Sequence, residues 1–234
     1  MNILGIESSS LVASVALLKD DILIAEYTVN FKKTHSQTLL PMLDEIVTMT
    51  GISLDVMEAI AVSAGPGSFT GLRIGSATGK GLGLALKKPL ISVPTIDAMA
   101  YQLYGCASLV CPIMDARREQ VYTGIYNNRD AFTVVKESCA MDIKDLIAQL
   151  NAGGERVIFL GDGVPAYKDS IKELMKVPFE FAPPHLNRQR AGAVAALGMH
   201  LFKEGKTVTA AEHAPEYLRK PQAEREREAA LRGE

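Results

Sequence analysis

The sequence is poor in the residues that form disulfides and bind metals. Its three cysteines, Cys106, Cys111 and Cys139, include no C-x-x-C pair, and their odd number argues against a disulfide framework. The four histidines form neither an H-x-x-x-H nor an H-E-x-x-H pattern. We therefore expect a protein of the reducing cytoplasm that binds no metal of its own.

Long apolar runs and a strong net charge are also lacking. No stretch of about 18 residues is apolar and free of charge, so we predict no membrane span. The N-terminus lacks a basic region followed by a long apolar run, so we expect no signal peptide. The net charge of −2 gives no sign of direct nucleic-acid binding through overall basicity. With 47% hydrophobic residues over 234 positions, the composition is typical of a soluble globular protein with one large or two small domains.

The order of the predicted elements indicates two α/β units. Residues 1–104 show three successive strand patterns and then alternating helices and strands, in the order βββαβαβα. Residues 105–213 repeat this arrangement less regularly, and residues 214–234 form a tail with dense charges of both signs. We therefore predict an α/β fold with mixed sheets, divided into an N-terminal lobe, a C-terminal lobe and a charged tail.

The first long helix is predicted over residues 38–50. Ser36 or Thr38 would cap its start, Pro41 would fall within its first turn and Gly51 would end it. Its apolar residues follow the period of one helix face. They are Leu39, Leu40, Leu43, Ile46 and Val47.

The segment SAGPGSFTGLRIGSATGKGLGLAL, residues 63–86, holds seven glycines and raises the question of a phosphate loop. The Walker pattern fails, because Ile74 stands five positions before Gly79 and Gly81 takes the place of the required Ser or Thr. The dinucleotide pattern G-x-G-x-x-G fails as well, since Thr70 stands at the third glycine position. The segment therefore matches neither nucleotide motif.

The turn at Gly65 and Gly67 keeps two interpretations. An anion could bind at the N-terminus of the helix that follows, or the segment could be a tight turn with a Ser/Thr cap. The side chains that would assist an anion are Ser68, Thr70 and Arg73.

Within that helix, every fourth residue is glycine. Gly71, Gly75, Gly79 and Gly83 form one stripe, because each step of four residues drifts by only about 40° around the helix. Each glycine costs roughly 0.5–1 kcal/mol relative to alanine, so close approach of another backbone must offset the loss. The stripe therefore predicts tight packing, and the neighbour is either the chain's own sheet or another chain.

Six segments, spread over nearly the whole chain, resemble the bacterial TsaB (YeaZ) family. They are MNILGIESSS (1–10), HSQTLLPMLDEI (35–46), SAGPGSFTGLRIG (63–75), DARREQVYTGIY (115–126), LGDG (160–163) and PEYLRKP (215–221). The resemblance implies an actin-like fold of the sugar kinase/Hsp70 type, ribonuclease H-like, with two related α/β lobes. It also implies a role as the non-catalytic dimerisation subunit of the complex that makes threonylcarbamoyladenosine beside the tRNA anticodon.

The resemblance further implies partners and the helices that contact them. The catalytic work would belong to a homologous metal-binding subunit, TsaD, joined by a small ATPase, TsaE, so ATP and metal would be used by partners. The chain would form a homodimer in isolation and would reach tRNA only through the complex. The implied contact lies on the helices at 38–50 and 70–86. The candidate interface residues are Leu39, Leu43, Ile46, Val47, Leu72, Gly75, Gly79 and Leu82.

The chain departs from its catalytic relatives where their chemistry would sit. Thr95 and Met99 stand in place of an H-x-x-x-H metal pair, and neither is a ligand for a hard metal. Glu7 could meet a cation, but the glycine that active actin-like ATPases carry in this turn is missing. An actin-like ATPase or small-molecule kinase remains the alternative, and a metallopeptidase-like hydrolase is a third.

Two charged segments in the second unit are interpreted as surface turns without a catalytic role. Asp115, Arg117, Arg118 and Glu119 are interpreted as a solvated hairpin tip. Asp162, in the sequence Gly-Asp-Gly, is interpreted as a turn residue and not as a catalytic base.

Overall fold

The computed structural model describes residues 1–218, so most of the predicted charged tail, residues 219–234, lies outside the described residues. The first half of the chain forms five strands and three helices. The strands are β1 (Asn2–Glu7), β2 (Val12–Lys19), β3 (Ile22–Asn30), β4 (Ala59–Gly65) and β5 (Leu90–Pro94). The helices are α1 (His35–Thr50), α2 (Phe69–Leu86) and α3 (Thr95–Tyr101), with one turn of 3-10 helix at Leu54–Val56.

Residues 105–218 form five more strands and three helices. The strands are β6 (Leu109–Asp115), β7 (Gln120–Asn127), β8 (Thr133–Asp142), β9 (Val157–Leu160) and β10 (Phe179–Phe181). The helices are α4 (Ile143–Gly153), α5 (Val164–Leu174) and α6 (Ala191–Lys203). Within residues 1–218, no helix combines the length and the apolarity needed to cross a membrane.

The two sheets follow the same path. The first has the order β3-β2-β1-β4-β5 and the second β8-β7-β6-β9-β10. In each, three consecutive strands pair antiparallel, and two further strands are added in parallel. The predicted α/β fold of two related lobes with mixed sheets is therefore confirmed.

Strand β1 lies in the middle of the first sheet and sends apolar side chains to both of its faces. Leu4 and Ile6 join the core beneath α1, where they meet Leu39. Ile3 belongs to the core on the opposite face, with Val194 of α6. Helices thus cover both faces of the first sheet.

Helix α6 closes the first lobe although it comes late in the chain. Its Gly198 lies so close to the sheet that an added Cβ would stand 2.6 Å from the Cβ of Ala61. Glu26 of β3 fixes its start, because Glu26 accepts a hydrogen bond from the backbone N–H of Gly192 at 2.8 Å and pairs with Arg190. The segment predicted as a C-terminal lobe, residues 105–213, therefore contributes one helix to the first sheet.

Helix α1 begins three residues before the predicted start. Thr34 takes the cap position without a side-chain hydrogen bond, so neither Ser36 nor Thr38 is the cap. The ring Nε2 of His35 lies 3.0 Å from the carbonyl oxygen of Val12, which ties the first turn to the sheet. Pro41 consequently falls in the second turn and not in the first. Gly51 ends the helix in a left-handed conformation, as predicted.

The glycine stripe of α2 faces the chain's own sheet. A Cβ on Gly71 or Gly75 would run into Ser8, and one on Gly79 would stand 2.6 Å from Cγ2 of Val62. Gly83 lies equally close to a side chain of β5. The neighbour that the sequence left open is therefore the first lobe itself.

After α6, residues 207–218 run back along the first lobe, and we call them the C-terminal strap. Val208 forms a β-bridge to Leu90 at the edge of the sheet. Farther along, the backbone N–H of Glu216 donates to the carbonyl of Ala64 at 2.6 Å, and the ring of Tyr217 lies 4.9 Å from that of Phe69. The strap thus reaches the N-terminus of α2.

Candidate functional site

A cleft of about 550 Å³ opens between the two lobes. Ser9 in the turn after β1 and Gly67 before α2 form its first-lobe wall, while Asp115 ends β6 and Asp162 follows β9 of the second sheet. Tyr217 of the strap closes one side. Such a crevice at the carboxyl ends of parallel strands is where open α/β folds bind ligands.

Glu7, the last residue of β1, lies two residues before Ser9 of the cleft wall and is almost wholly buried. One carboxylate oxygen, Oε1, accepts hydrogen bonds from both the backbone N–H and the hydroxyl of Ser9, each at 2.6 Å. Burial outweighs these hydrogen bonds and raises the pKa of the Glu7 carboxyl to about 7. The nearby carboxylate of Asp162 acts in the same direction. The Glu7 carboxyl is thus poised to titrate near neutral pH.

Asp162 lies in the turn after β9 and is mostly buried, which raises the pKa of its carboxyl. Gln189 donates to Asp162 Oδ1 at 3.0 Å from its Nε2 atom. The Oε1 atom of Gln189 is buried and has no hydrogen-bond partner among residues 1–218. The position confirms Asp162 as a turn residue, although it is less exposed than a turn in Gly-Asp-Gly suggests.

Asp115 anchors the hairpin between β6 and β7. Its Oδ1 atom accepts hydrogen bonds from the backbone N–H of Arg117 at 2.8 Å and from the hydroxyl of Tyr167 at 3.0 Å. Arg117, Arg118 and Glu119 form the exposed tip, and all three have positive φ values. The charged cluster is therefore a hairpin tip, as its sequence indicated.

Two backbone donors at the N-terminus of α2 are bonded within the chain. Ser68 caps it by accepting from the backbone N–H of Gly71 at 3.3 Å. The Ser68 backbone N–H in turn donates to the carbonyl of Ser9 at 2.6 Å. Of the two interpretations left open by the sequence, the tight turn with a serine cap is the one observed.

Six of the eight candidate interface residues are buried within this chain. Leu39, Leu43, Ile46 and Leu72 are core side chains of the first lobe, and Gly75 and Gly79 press on its sheet. Val47 and Leu82 are half-buried against the same core. The sequence-based assignment is corrected for the buried six, because a helix period locates an apolar face without showing which neighbour covers it.

The opposite faces of the two helices are the ones left in solvent. On α1, Leu40 is 54% exposed and Met49 is 77% exposed. On α2, Leu84 is 70% exposed, and Ala77 and Gly81 also face solvent. We call the three residues of α2, which share one side of that helix, the exposed helix face; Leu40 and Met49 lie nine residues apart and therefore about 180° apart around α1. The helix period places Leu40 on the apolar face of α1, but the sequence holds no signal that separates a covered leucine from an uncovered one.

Comparisons with known proteins show similarity along nearly the whole chain. Residues 24–227 match the family model described as TsaD, tRNA N6-adenosine threonylcarbamoyltransferase. The chain is 31% identical over 226 residues to the tRNA threonylcarbamoyladenosine biosynthesis protein TsaB of Bacillus subtilis, covering 96% of each chain. It is 35% identical over 232 residues to the protein of the same name from Escherichia coli, covering 94% of this chain and 95% of that one.

Solved structures agree with these sequence matches. A Pseudomonas aeruginosa protein described as similar to the peptidase YeaZ superposes with a TM-score of 0.79 at 26% identity, over 93% of this chain and 99% of that one. YeaZ from the same organism gives 0.78 at 26% identity, over 92% and 99%. A polyphosphate/ATP-glucomannokinase from Arthrobacter, at 11% identity and a TM-score of 0.51, covers 87% of this chain and 99% of its own, and shares the fold alone.

Proposed function

The chain belongs to the TsaB family of tRNA threonylcarbamoyladenosine biosynthesis proteins, and from this premise we propose that it is a non-catalytic dimerisation subunit. In this proposal it works in the cytoplasm with a TsaD-type catalytic subunit and a TsaE-type ATPase. It reaches tRNA only through that assembly, and it forms a homodimer when the partners are missing. ATP and metal are used by the partners.

The exposed helix face is the observation that carries this proposal. A Cβ on Gly81 would meet nothing within 4 Å among residues 1–218, so no contact there offsets the cost of about 1 kcal/mol that glycine imposes on a helix. Close approach of a second helix would offset it. Leu84 and Met49 then supply apolar area that is otherwise in water.

The residues available for metal and phosphate binding support a subunit without catalytic activity. Among residues 1–218 there is no group of three or more His, Cys, Asp and Glu side chains placed to hold a metal ion. Thr95 and Met99, which replace the metal-binding pair of the catalytic relative, are both buried. The carbonyl of Ser9 accepts a hydrogen bond from the Ser68 backbone N–H just before α2, so that donor is not free for a phosphate.

The interface is tested with two leucines placed in equally open positions. Gly81→Leu should fold normally but lose affinity for itself and for the TsaD-type subunit by about 5- to 150-fold, the usual effect of overpacking by 1–3 kcal/mol. Gly153→Leu, at the end of α4 in equally open space, is the matched control and should bind like the wild type. Sedimentation velocity and titration calorimetry measure both. Undiminished association of Gly81→Leu would remove this face from the interface.

The lack of intrinsic activity is tested by reconstitution. Alone, the chain should neither hydrolyse ATP nor modify tRNA, and elemental analysis should find no stoichiometric zinc or iron. With TsaD, TsaE, ATP and threonylcarbamoyl-adenylate it should be required for repeated turnover. Equal modification of tRNA without the chain would overturn the proposal.

The second candidate function is an actin-like ATPase or small-molecule kinase. The chain's carboxylates favour it, because Asp115 and Asp162 line the inter-lobe cleft and Glu7 interacts with Asp162, in a fold shared with a sugar kinase. ATP turnover by the isolated chain that is lost in Asp162→Asn would support it. The metallopeptidase alternative has no such support, since the described residues offer no ligand cluster.

A further inference from the structure

A second cavity has a volume of about 580 Å³. It is formed by α3, by the C-terminal end of α6 and by the residues that lead into β8. Among the described residues it shares no lining side chain with the inter-lobe cleft. Its volume falls within the roughly 300–1,000 Å³ of small-molecule sites.

The wall of this cavity is built around Tyr101. The ring centroid of Tyr101 lies 5.6 Å from Tyr104, 5.5 Å from Phe132 and 5.6 Å from His200. The hydroxyl of Tyr101 lies 2.7 Å from Nε2 of His200, which fixes both side chains. Tyr104 is 56% exposed and lines the opening, so its ring is accessible to a ligand. Aromatic rings of this kind attract cations.

One carboxylate in the cavity has no counter-ion among the residues that the structure describes. Asp97 of α3 lines it and is mostly buried, and burial raises the pKa of its carboxyl. Its Oδ1 atom accepts a hydrogen bond from the hydroxyl of Tyr126 at 2.7 Å, and no other hydrogen bond or ion pair to the Asp97 carboxylate occurs among residues 1–218. The other charged groups that act on it, Glu137 and Glu216, are also acidic.

The cation at the rim of the cavity is already engaged. Lys206 pairs with Glu204 at 2.8 Å, and both lie at the edge of the opening. The charge of Glu204 is thus balanced locally, whereas that of Asp97 is not. A mostly buried carboxylate beside an accessible aromatic ring is complementary to an organic cation and repels an anion.

We propose that this cavity, which we call the α3–α6 pocket, binds a small organic cation, with a guanidinium or alkylammonium group on Asp97 and its carbon chain along Tyr104. The free oxygen of Asp97 accepts the charge-assisted hydrogen bond. The volume leaves room for a whole small molecule and not only for one side chain of a partner protein.

Agmatine, which carries both cationic groups, is the probe. Calorimetric titration of the 234-residue chain should show saturable binding that weakens by about tenfold in Asp97→Asn, the loss expected for one charge-assisted hydrogen bond. Asparagine keeps the shape and the acceptor for Tyr126. Glu119→Gln, on the exposed hairpin tip, is the matched control and should bind like the wild type.

Tyr104→Ala provides a second test that does not depend on a buried position, and it should weaken binding several-fold. Unchanged agmatine affinity in both Asp97→Asn and Tyr104→Ala would overturn the assignment, as would failure of the wild type to bind at millimolar concentration. Binding of an Ala-Arg-Ala peptide that requires Asp97, without binding of agmatine, would replace the small molecule by a partner's side chain and would overturn the proposal as stated.

Discussion

Glu7 shows how one buried side chain makes the stability of the fold depend on pH. The pKa of its carboxyl is about 7 in the folded chain, against an ordinary value of 4.5. Between these values the folded state holds more protons than the unfolded state, so the free energy of unfolding falls as pH rises. The effect is complete above the folded pKa and amounts to about 3 kcal/mol.

Glu7→Gln should remove this dependence. Glutamine keeps an acceptor for the hydrogen bonds from Ser9 but carries no charge, so the variant should exceed the wild type in stability by up to about 3 kcal/mol at pH 8 and match it near pH 4.5. Urea unfolding across this range measures the difference. Glu173→Gln, on the exposed side of α5, should keep the wild-type pH profile. Parallel profiles for Glu7→Gln and the wild type would contradict the prediction.

At the level of single residues, the sequence identified Glu7 as a group that could meet a cation, but its burial and hydrogen bonds to Ser9 emerge only from the folded turn. Asp97 carried no signal at all. Its isolation depends on Tyr126, Glu137 and Glu216, which come from other elements, so no local pattern could have revealed it.

Helix α2 allows the two sides of one element to be compared by the same substitution. Gly79→Ala places a Cβ 2.6 Å from Cγ2 of Val62 on β4, and the resulting overpacking should lower the free energy of unfolding by about 1–2 kcal/mol. Gly81→Ala, two residues later, enters open space and should raise it by about 0.5–1 kcal/mol through helix propensity. Chemical denaturation of both variants tests this pair. Equal stabilities would show that the stripe does not press on the sheet.

At the scale of single helices and strands, the sequence predicted the features that depend on neighbouring residues in the chain. The period of α1, its Gly51 end and the serine cap of α2 all followed from residue type. The start of α1 was placed too late, because the contact of His35 with Val12 joins residues far apart in the chain. The direction of the glycine stripe was likewise undecided, since it depends on which sheet the helix meets.

At the scale of the whole molecule, the first lobe is not a continuous segment. Residues 1–104 supply its sheet, but α6 covers one face and the C-terminal strap covers the β5 edge. The sequence-based division at residue 104 did not include the packing of α6 and the C-terminal strap on the first lobe. The apolar pattern of α6 does not show which of the two sheets the helix will cover. The duplication of the lobes, by contrast, was visible in the order of the elements.

Residues 1–104 should therefore not fold as an isolated fragment. Ile3, Ala61 and Ile91 would lose their cover from Val194 and Leu197 and would expose an apolar sheet face to water. Circular dichroism during thermal unfolding should show no cooperative transition for this fragment. Adding residues 105–218 as a second polypeptide should restore one. A cooperative transition in fragment 1–104 alone would contradict the prediction.

During translation, the first lobe cannot complete its packing until α6 has been synthesised. The face of the first sheet that carries Ile3 and Ile91 emerges from the ribosome long before residues 191–203, the helix that will shield it. The second lobe must be synthesised in between, and its own core lies within residues 109–181. The second lobe, which is made later, is thus free to fold first. The first lobe keeps an apolar sheet face exposed to water until α6 has been synthesised.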